Sequence, residues 1–227
     1  MKASPRVFID MPLEVGKQFE LSSEQHHYLA HVMRADRFLA FNGGKEYEAE
    51  IIGRSRFVIR SSTERRDPSG EWTFCFAPIK RAEDLIAGVV QFGAGILQPV
   101  ITERTVARRV NWARMRKIIV ENCEQSGRGS VPELREPIPF AALDKRTIVY
   151  GDERKAAEPE SAESVRRPAP PARRGAPELS LMVGPEGGFS DAEFAALDAA
   201  GAIGARLGGT ILRAEVAAVA LCAKCLL

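Results

Sequence analysis

Hydrophobic positions in the first 70 residues follow the pattern of short β-strands. Apolar residues alternate or cluster over four runs, Val7–Ile9, Phe38–Phe41, Tyr47–Ile52 and Phe57–Ile59. Alternation over a few residues is typical of half-buried strands, and Asn42-Gly43-Gly44 is a strong signal for a hairpin turn. Residues 23–34 change to a helical spacing, with a serine N-cap and an apolar stripe. This pattern predicts a small β-barrel with one helix.

From residue 71 onward, strand-like and helical patterns alternate. The predicted strands cover residues 72–77, 96–101, 147–150 and 179–183, and the predicted helices cover 81–92, 111–125, the segment after 190 and the segment from 213. Such alternation favours an α/β fold with a parallel sheet covered on both faces. The sequence therefore predicts two domains, residues 1–70 and 71–227, joined by the polar segment 61–70.

One stretch of the second domain interrupts this alternation. Residues 154–178 are rich in Pro, Ala, Glu and Arg and contain almost no large apolar side chain. Such a segment buries too little surface to offset the entropy lost on ordering. We interpret residues 154–178 as a mobile surface insertion. The last helix is the opposite case, because apart from Glu215 its residues 214–223 are apolar on every face, which predicts burial on every side.

Composition narrows the class of protein. Hydrophobic residues make up 45% of the chain and the net charge is only +2. Neither a stretch of membrane-spanning length nor a secretory signal is visible, so we expect a cytoplasmic protein with no membrane partner. The four cysteines are expected to be buried, reduced thiols. Cys222-x-x-Cys225 has no second pair, so no metal is predicted.

Two glycine-rich loops carry the candidate chemistry. Gly184-Pro185-Glu186-Gly187-Gly188 follows an apolar strand, and Leu207-Gly208-Gly209 precedes the last helix. Glycine leaves backbone amides and carbonyls open to a ligand. Ser190 and Glu193 form an S-x-x-E capping box for the helix after the first loop. Neither loop fits G-x-G-x-x-G or G-x-x-x-x-G-K-[ST], which disfavours a dinucleotide fold or a P-loop. The pair frames one small ligand.

Taken together, the two loops resemble the C-terminal signature of the RsmE-type methyltransferases of the SPOUT superfamily. That signature is a hydrophobic-Gly-Pro-Glu-Gly-Gly-hydrophobic-Ser turn followed by Leu-Gly-x-x-Ile-Leu-Arg-x-Glu, and this chain matches it at residues 183–190 and 207–215. Four upstream segments, residues 25–34, 41–49, 99–104 and 123–133, are similar to other blocks of the family in the same order. These enzymes methylate N3 of one uridine in small-subunit (16S) ribosomal RNA.

The resemblance implies a fold, a cofactor and partners. A PUA-like RNA-binding barrel precedes a SPOUT domain whose parallel sheet ends in a C-terminal trefoil knot, across which the family forms homodimers. The implied cofactor is S-adenosyl-L-methionine (SAM), held by backbone groups. The implied cofactor residues are Tyr150, Gly151, Val183, Gly184, Pro185, Glu186, Gly187, Gly188, Leu207, Gly208, Ile211 and Leu212. A Cβ added at Gly187 is expected to enter this pocket.

Methylation at uracil N3 also needs a group that favours the deprotonated base. A cation aimed at the uracil oxygens stabilises the developing anion, and Arg213 is the first candidate, with Arg128 second. Glu215 serves as a base, orients Arg213, or is an ordinary carboxylate at a helix N-terminus. RNA contacts are predicted for Arg6, His27, Arg34, Lys80 and Arg104.

This chain departs from the family pattern near the presumed site. Gly88 and Gln91 replace a lysine and a glutamate, and Ala214 and Val216 replace threonines. These changes leave an alternative open, namely a divergent member that binds RNA and SAM with little or no turnover. A SPOUT methyltransferase acting on another RNA is a second alternative. Whether the substrate is free ribosomal RNA or the assembled small subunit also stays open.

Overall fold

A computed structural model of the chain describes residues 4–65, 67, 70, 72–106, 110–157 and 179–227. It divides into two compact units, one of Met1–Ser69 with Val120–Val131 and the other of Gly70–Ile119 with Pro132–Leu227. Residues 120–131 thus group with the first unit, whereas the sequence-based boundary assigned them to the second domain. Most of the predicted mobile insertion, residues 158–178, lies outside the described residues.

The first unit is built on a five-stranded sheet with the order β1-β3-β4-β5-β2. Its strands are β1 (Arg6–Phe8), β2 (Gln18–Glu20), β3 (Arg37–Asn42), β4 (Lys45–Ile51) and β5 (Arg56–Ser62). β1 is parallel to β3, and the other neighbouring strands are antiparallel. The sequence did not predict β2, because only one of its three residues is even partly buried. Closure of this sheet into a PUA-like barrel stays a prediction.

The hairpin between β3 and β4 confirms the predicted turn. Asn42 pairs with Lys45, so that Gly43 and Gly44 form a two-residue loop. Their φ angles are +57° and +78°, and positive φ at both central residues is the type I′ geometry that favours glycine. The inward faces of the strands build an apolar core with members from every part of the sheet, including Val7, Phe38, Ala49, Phe57 and Ile59.

The predicted helix over residues 23–34 forms, but its second half is not α-helical. Helix α1 (Ser23–His27) is capped by Ser22, whose hydroxyl accepts from the Gln25 N–H in a capping box. Residues Tyr28–Met33 continue as a π-helical segment. Arg34 ends it in the left-handed conformation, at a φ of +53°. Such segments are rare and frequently mark functional sites.

The second unit confirms the α/β prediction with a parallel sheet. Its strands are β6 (Thr73–Phe76), β7 (Ile96–Ile101), β8 (Glu133–Leu134), β9 (Ile138–Pro139), β10 (Ile148–Gly151), β11 (Ser180–Val183) and β12 (Ile203–Ala205). The order is β12-β10-β11-β6-β7-β8, with β9 also paired to β7, and every pair is parallel. The central strands are almost continuously apolar and buried, as a sheet covered on both faces requires.

Among the described residues, four α-helices alternate with the strands of this sheet along the chain. They are α2 (Ala82–Val90), α3 (Trp112–Ser126, whose last part counts with the first unit), α4 (Asp191–Ala199) and α5 (Ala214–Leu226). Two short 3₁₀ helices cover Phe140–Ala142 and Glu153–Ala157. The four cysteines are buried, as predicted, and burial raises the pKa of Cys225 to about 11. Among the described residues, no helix has the length and apolar character that a membrane span needs.

Helix α5 packs closely on helix α2 at a glycine. A Cβ added to Gly88 would lie 2.7 Å from Cγ2 of Val219, which is closer than unbonded carbons approach. The close approach of the two helices therefore explains the glycine at this position, although glycine inside a helix costs about 1 kcal/mol of stability relative to alanine. Within one chain α5 buries only one side. Val216 and Val219 remain 48% and 39% exposed, so the expected burial on all sides is not reached by the chain alone.

This contact makes a stability prediction. We expect Gly88→Ala to lower the melting temperature, because the new methyl group displaces Val219. In a Val219→Ala background the same substitution is expected to raise it, because the helix-propensity gain of about 1 kcal/mol then meets no obstacle. Scanning calorimetry of the four proteins in this cycle is the measurement. Equal shifts in the two backgrounds would show that the close approach is unimportant.

Candidate active site

A pocket of about 660 Å³ lies at the carboxyl ends of three neighbouring parallel strands. Its walls are the loops that follow β10, β11 and β12, together with the start of α5. In open α/β sheets, ligands bind in the crevice outside the carboxyl ends of the strands. The volume falls within the range of about 300–1,000 Å³ that is typical of small-molecule sites. The position and the size both favour a small bound ligand.

The pocket brings the two glycine-rich loops together. Every predicted cofactor residue except Tyr150 lines it, and so do Lys80, Arg213 and Glu215. The sequence analysis expected Tyr150-Gly151-Asp152 to form a third wall, and Asp152 does line the pocket. It missed several other lining residues, namely Arg81, Glu153, Thr210, Ala214 and Ala217. A signal for Glu153 was available, because it directly follows Asp152 after β10.

Tyr150 does not line the pocket. Its side chain is only 1% exposed and belongs to the apolar core of the second unit. The ring contacts Phe189 and Phe194, at centroid distances of 6.0 and 6.1 Å. Successive side chains of a strand point to opposite faces, so Tyr150 faces the core and Gly151 presents its backbone to the pocket. The Tyr150 side chain thus packs in the core and does not contact the pocket.

The first glycine loop is fastened at two adjacent residues in its middle, Glu186 and Gly187. The backbone N–H of Lys80 donates to Oε1 of Glu186 at 2.9 Å, and the guanidinium of Arg104 donates to the carbonyl oxygen of Gly187 at 3.0 Å. Glu186 therefore fixes the turn. Arg104, predicted to contact RNA, is exposed but ties the loop to the end of β7.

A Cβ added at Gly187 would lie 3.5 Å from the Cβ of Arg104, which is an ordinary contact. Its entry into the pocket stays a prediction. The neighbouring Gly188 is the constrained position. Its φ is +69°, and an added Cβ would overlap Oε1 of Glu153.

Helix α4 starts as the sequence predicts. Ser190 and Glu193 form the capping box, and Phe189 packs against Phe194 at a centroid distance of 5.6 Å. The carboxylate of Glu193 is buried and has a second partner, because its Oε1 accepts from the backbone N–H of Glu103 at 2.8 Å. One carboxylate thus joins the start of α4 to the loop after β7.

A polar network holds the wall that follows β10. The Arg154 guanidinium donates to the Asp152 carboxylate at 2.8 and 2.9 Å and to the Tyr150 hydroxyl at 3.0 Å. It also lies over the Phe194 ring, at 3.9 Å from the centroid. Burial, reinforced by the Asp152 carboxylate, raises the pKa of Tyr150 well above its ordinary value. The hydroxyl is therefore a neutral donor, and Asp198 accepts from it at 3.0 Å.

Charged side chains surround the rest of the pocket. Arg81 lies 2.7 Å from Asp84 and 3.4 Å from Glu215, so Glu215 pairs with Arg81. Arg213 is exposed and occupies the N-cap of α5. In the described part of the chain, the guanidinium of Arg213 has no hydrogen-bond or ion-pair partner. Of the two arginines, Arg213 is the one open to a ligand, and the exposed Lys80 ammonium likewise has no partner among the described residues.

The remaining predicted residues lie in the first unit. Arg6 is mostly buried and pairs with Glu46 at 2.7 Å. It also donates to the carbonyl oxygens of Cys123 and Glu124 at the end of α3 and of Arg128 beyond it. These hydrogen bonds make Arg6 a cap for the carboxyl end of α3. Little of its side chain remains exposed to contact RNA. Arg128 is 3% exposed, and burial lowers the pKa of its guanidinium.

His27 and Arg34 are exposed, at the surface of the first unit. The rings of His27 and His31 lie 5.2 Å apart, and that of His26 is 6.1 Å from His31. Helix α1 and the π-helical segment therefore together present three imidazoles close together, followed by the Arg34 side chain. This surface is compatible with the predicted RNA contacts and does not test them.

Comparison with known proteins identifies the family. The RNA methyltransferase domain family matches residues 66–226. A ribosomal RNA small subunit methyltransferase E from Rickettsia conorii is 30% identical, over 96% of this chain and 93% of its own length. The enzyme of that name from Neisseria gonorrhoeae, solved with bound S-adenosyl methionine, has a TM-score of 0.81 at 27% identity, over 97% of this chain and 96% of its own. A putative methyltransferase from Legionella pneumophila, solved in complex with the cofactor SAM, has a TM-score of 0.79 at 25% identity and equal coverage. The chain therefore belongs to the RNA methyltransferase family.

Proposed function

We propose that this chain is a SAM-dependent methyltransferase that modifies N3 of one uridine in small-subunit (16S) ribosomal RNA. The observation that carries the proposal is the pocket in which both glycine-rich loops meet at the carboxyl ends of adjacent parallel strands. Relatives named for methylation of small-subunit ribosomal RNA, and a similar structure with bound S-adenosyl methionine, support it. The uridine and its N3 atom come from the motif resemblance.

The residues of the pocket fit SAM. Glycine backbone at Gly184, Gly187 and Gly208 offers hydrogen-bond donors and acceptors to an adenine edge, while Leu207 and Ile211 supply apolar surface. When bound, SAM supplies a methyl group on a sulfonium with an excellent leaving group. The protein therefore has mainly to position the base and favour its anion.

We assign to Arg213 the stabilisation of the uracil anion that forms during methyl transfer. Arg213 follows the second loop directly and its guanidinium is open to a ligand. A fixed cation there stabilises charge as it develops on the uracil oxygens. Glu215, paired with Arg81, is better placed to hold Arg81 at the pocket than to accept the N3 proton. Arg128, our second candidate for the anion, is buried and does not line the pocket in this structure, which ranks it well below Arg213.

RNA binding is assigned to exposed cations on each unit, namely His27, Arg34, Lys80 and Arg104. Phosphate contacts contribute affinity without sequence preference and release bound counterions. We predict that Arg34→Ala weakens binding of small-subunit ribosomal RNA at every site and lowers the slope of log K against log salt by about 1. Filter binding at several salt concentrations measures this. An unchanged slope would remove Arg34 from the interface.

The family architecture includes a trefoil knot and a homodimer, and we propose both for this chain. The apolar, partly exposed face of α5 supports the dimer, since Val216, Val219 and Leu227 lie on or beside it. We predict a particle of twice the 24.9 kDa chain mass in light scattering at low micromolar concentration. Val216→Glu is expected to shift the particle toward the monomer mass. A wild-type monomer at that concentration would refute the dimer.

A second candidate function is a divergent member that binds RNA and SAM with little turnover. Gly88 and Val216, where the family pattern has lysine and threonine, favoured it. The structure gives Gly88 a packing role against Val219, which weakens that argument. A SPOUT methyltransferase acting on another RNA is the remaining alternative.

Nucleoside mass spectrometry of ribosomal RNA from a deletion strain tests the proposal. We expect 3-methyluridine to be missing from small-subunit RNA and to return when the gene is restored. The purified protein is also incubated with labelled SAM and either free ribosomal RNA or assembled small subunits, and methyl transfer is measured. Binding of both without methyl transfer would establish the divergent binder. Loss of a modification from another RNA would establish a SPOUT methyltransferase that acts on that RNA.

A further inference from the structure

Glu153 is a pocket carboxylate that the sequence analysis left out of the cofactor set. It is the second residue after β10, and its Oε1 occupies the space that a Cβ on Gly188 of the first glycine loop would take. The side chain is half-buried, yet among the described residues it has no hydrogen-bond or ion-pair partner. A carboxylate partly removed from water is costly without donors, so a ligand that brings donors is expected to bind there.

The residues on either side of Glu153 are held in place by other contacts. Asp152 accepts from Arg154, and the Lys155 ammonium donates to the carbonyl oxygen of Gly204 at 2.8 Å. The backbone at Glu153 is thereby fixed at the rim of the pocket. Its side chain is free of these contacts and turns to the glycine loop.

The other carboxylates of the pocket already have partners. Glu186 accepts from the Lys80 N–H, Glu215 pairs with Arg81, and Asp152 is bound by Arg154. In the part of the chain that the structure describes, Glu153 is thus the lining carboxylate whose two oxygens are open as acceptors. Two adjacent acceptors match two adjacent donors on a ligand, and hydrogen bonds to an ionised acceptor are the stronger kind.

The topology indicates which donors these are. The glycine loop follows β11, Glu153 follows the neighbouring β10, and the two strands are parallel. Dinucleotide-binding folds, although they differ in motif and place the acidic residue after the glycine-rich turn in the chain, likewise set an acidic residue beside such a turn, and there it accepts from a ribose hydroxyl. We propose that Glu153 accepts hydrogen bonds from the ribose 2′- and 3′-hydroxyls of SAM. This assignment rests on the proposed function.

Calorimetric titration with two ligand pairs tests the assignment. The first pair is SAM and S-adenosylhomocysteine, which share the ribose and differ in charge at sulfur. The second is S-adenosylhomocysteine and its 2′-deoxy analogue. We expect Glu153→Ala to weaken SAM and S-adenosylhomocysteine alike, by roughly 10- to 100-fold. Wild type is expected to prefer the ribose over the deoxyribose ligand about tenfold, and Glu153→Ala to lose that preference. Glu153→Gln, which keeps one acceptor oxygen, should fall between.

Glu136→Ala is the matched control, because Glu136 is an exposed carboxylate of the same unit outside the pocket. All variants are checked for an unchanged melting temperature. If Glu153→Ala keeps the ribose preference while wild type binds and transfers from SAM, the Glu153 assignment alone is overturned. A loss confined to SAM also overturns it and assigns the carboxylate to the sulfonium charge. If wild type binds neither ligand, the proposed function and this assignment fall together.

Discussion

Arg213→Ala is expected to lower the rate of methyl transfer by about 10²–10³-fold while SAM affinity changes little. The rate falls because one preorganised donor to the developing anion is removed, and such donors contribute about this much. Affinity is retained because the loops bind the cofactor through backbone groups and apolar side chains. Single-turnover transfer from labelled SAM to small subunits, combined with calorimetry of SAM binding, measures the two effects separately.

Arg146→Ala provides the control for charge. Arg146 is an exposed arginine of the same unit, bound to Asp144 and outside the pocket. Its replacement changes the net charge equally and is expected to leave the rate alone. Full turnover by Arg213→Ala would refute the role of Arg213, and Arg128→Ala would then be the variant to examine. Equal losses of rate and SAM affinity would instead make Arg213 a cofactor residue.

Gly188→Ala is expected to weaken SAM binding by at least about tenfold, whereas Gly187→Ala leaves it nearly unchanged. At Gly188 the positive φ makes any side chain unfavourable by about 1–2 kcal/mol, and the new methyl group displaces Glu153. At Gly187 the added Cβ finds an ordinary contact with Arg104. The two variants add the same methyl group at neighbouring positions. Their comparison therefore isolates the effect of the backbone conformation of the loop.

Calorimetry gives the affinities of both variants, and their melting temperatures report any general loss of stability. If Gly187→Ala and Gly188→Ala weaken SAM equally, the loop is sensitive to any added bulk and its conformation is not the cause. If neither weakens SAM, the cofactor does not bind against this loop. The second outcome would also move the proposed site elsewhere.

Local signals explain why the pocket itself was predictable from the sequence. Each glycine-rich loop follows or precedes a strongly apolar segment, and the S-x-x-E box fixes where α4 begins. Because the carboxyl ends of parallel strands share one edge of a sheet, loops that follow such strands meet there. Residue type and spacing therefore predicted two loops that meet, and both Gly184–Gly188 and most of Leu207–Leu212 line one pocket. The parallel sheet followed from the same alternation.

Other features depend on contacts that no local pattern encodes. Strands β8, β9 and β12 have two or three residues, too few to show a period. Arg6 caps a helix end that is 117 positions away in the chain, so its sequence context gave no hint of burial. Gly88 is understandable only through the Val219 side chain on another helix. The sequence analysis assigned Tyr150 to the pocket because it lies at the end of a strand. Which residues of a strand end face the ligand, however, becomes known only with the register of the strand in the sheet.

The double use of Glu193 has a kinetic consequence. Its carboxylate holds both the start of α4 and the loop after β7, while Glu186 and Arg104 hold the glycine loop between them. A loop fixed in this way has little conformational entropy left to lose when a ligand arrives. Association of SAM is therefore expected to be a single fast step whose rate rises linearly with concentration, without the slow, saturable phase that accompanies closure of a lid.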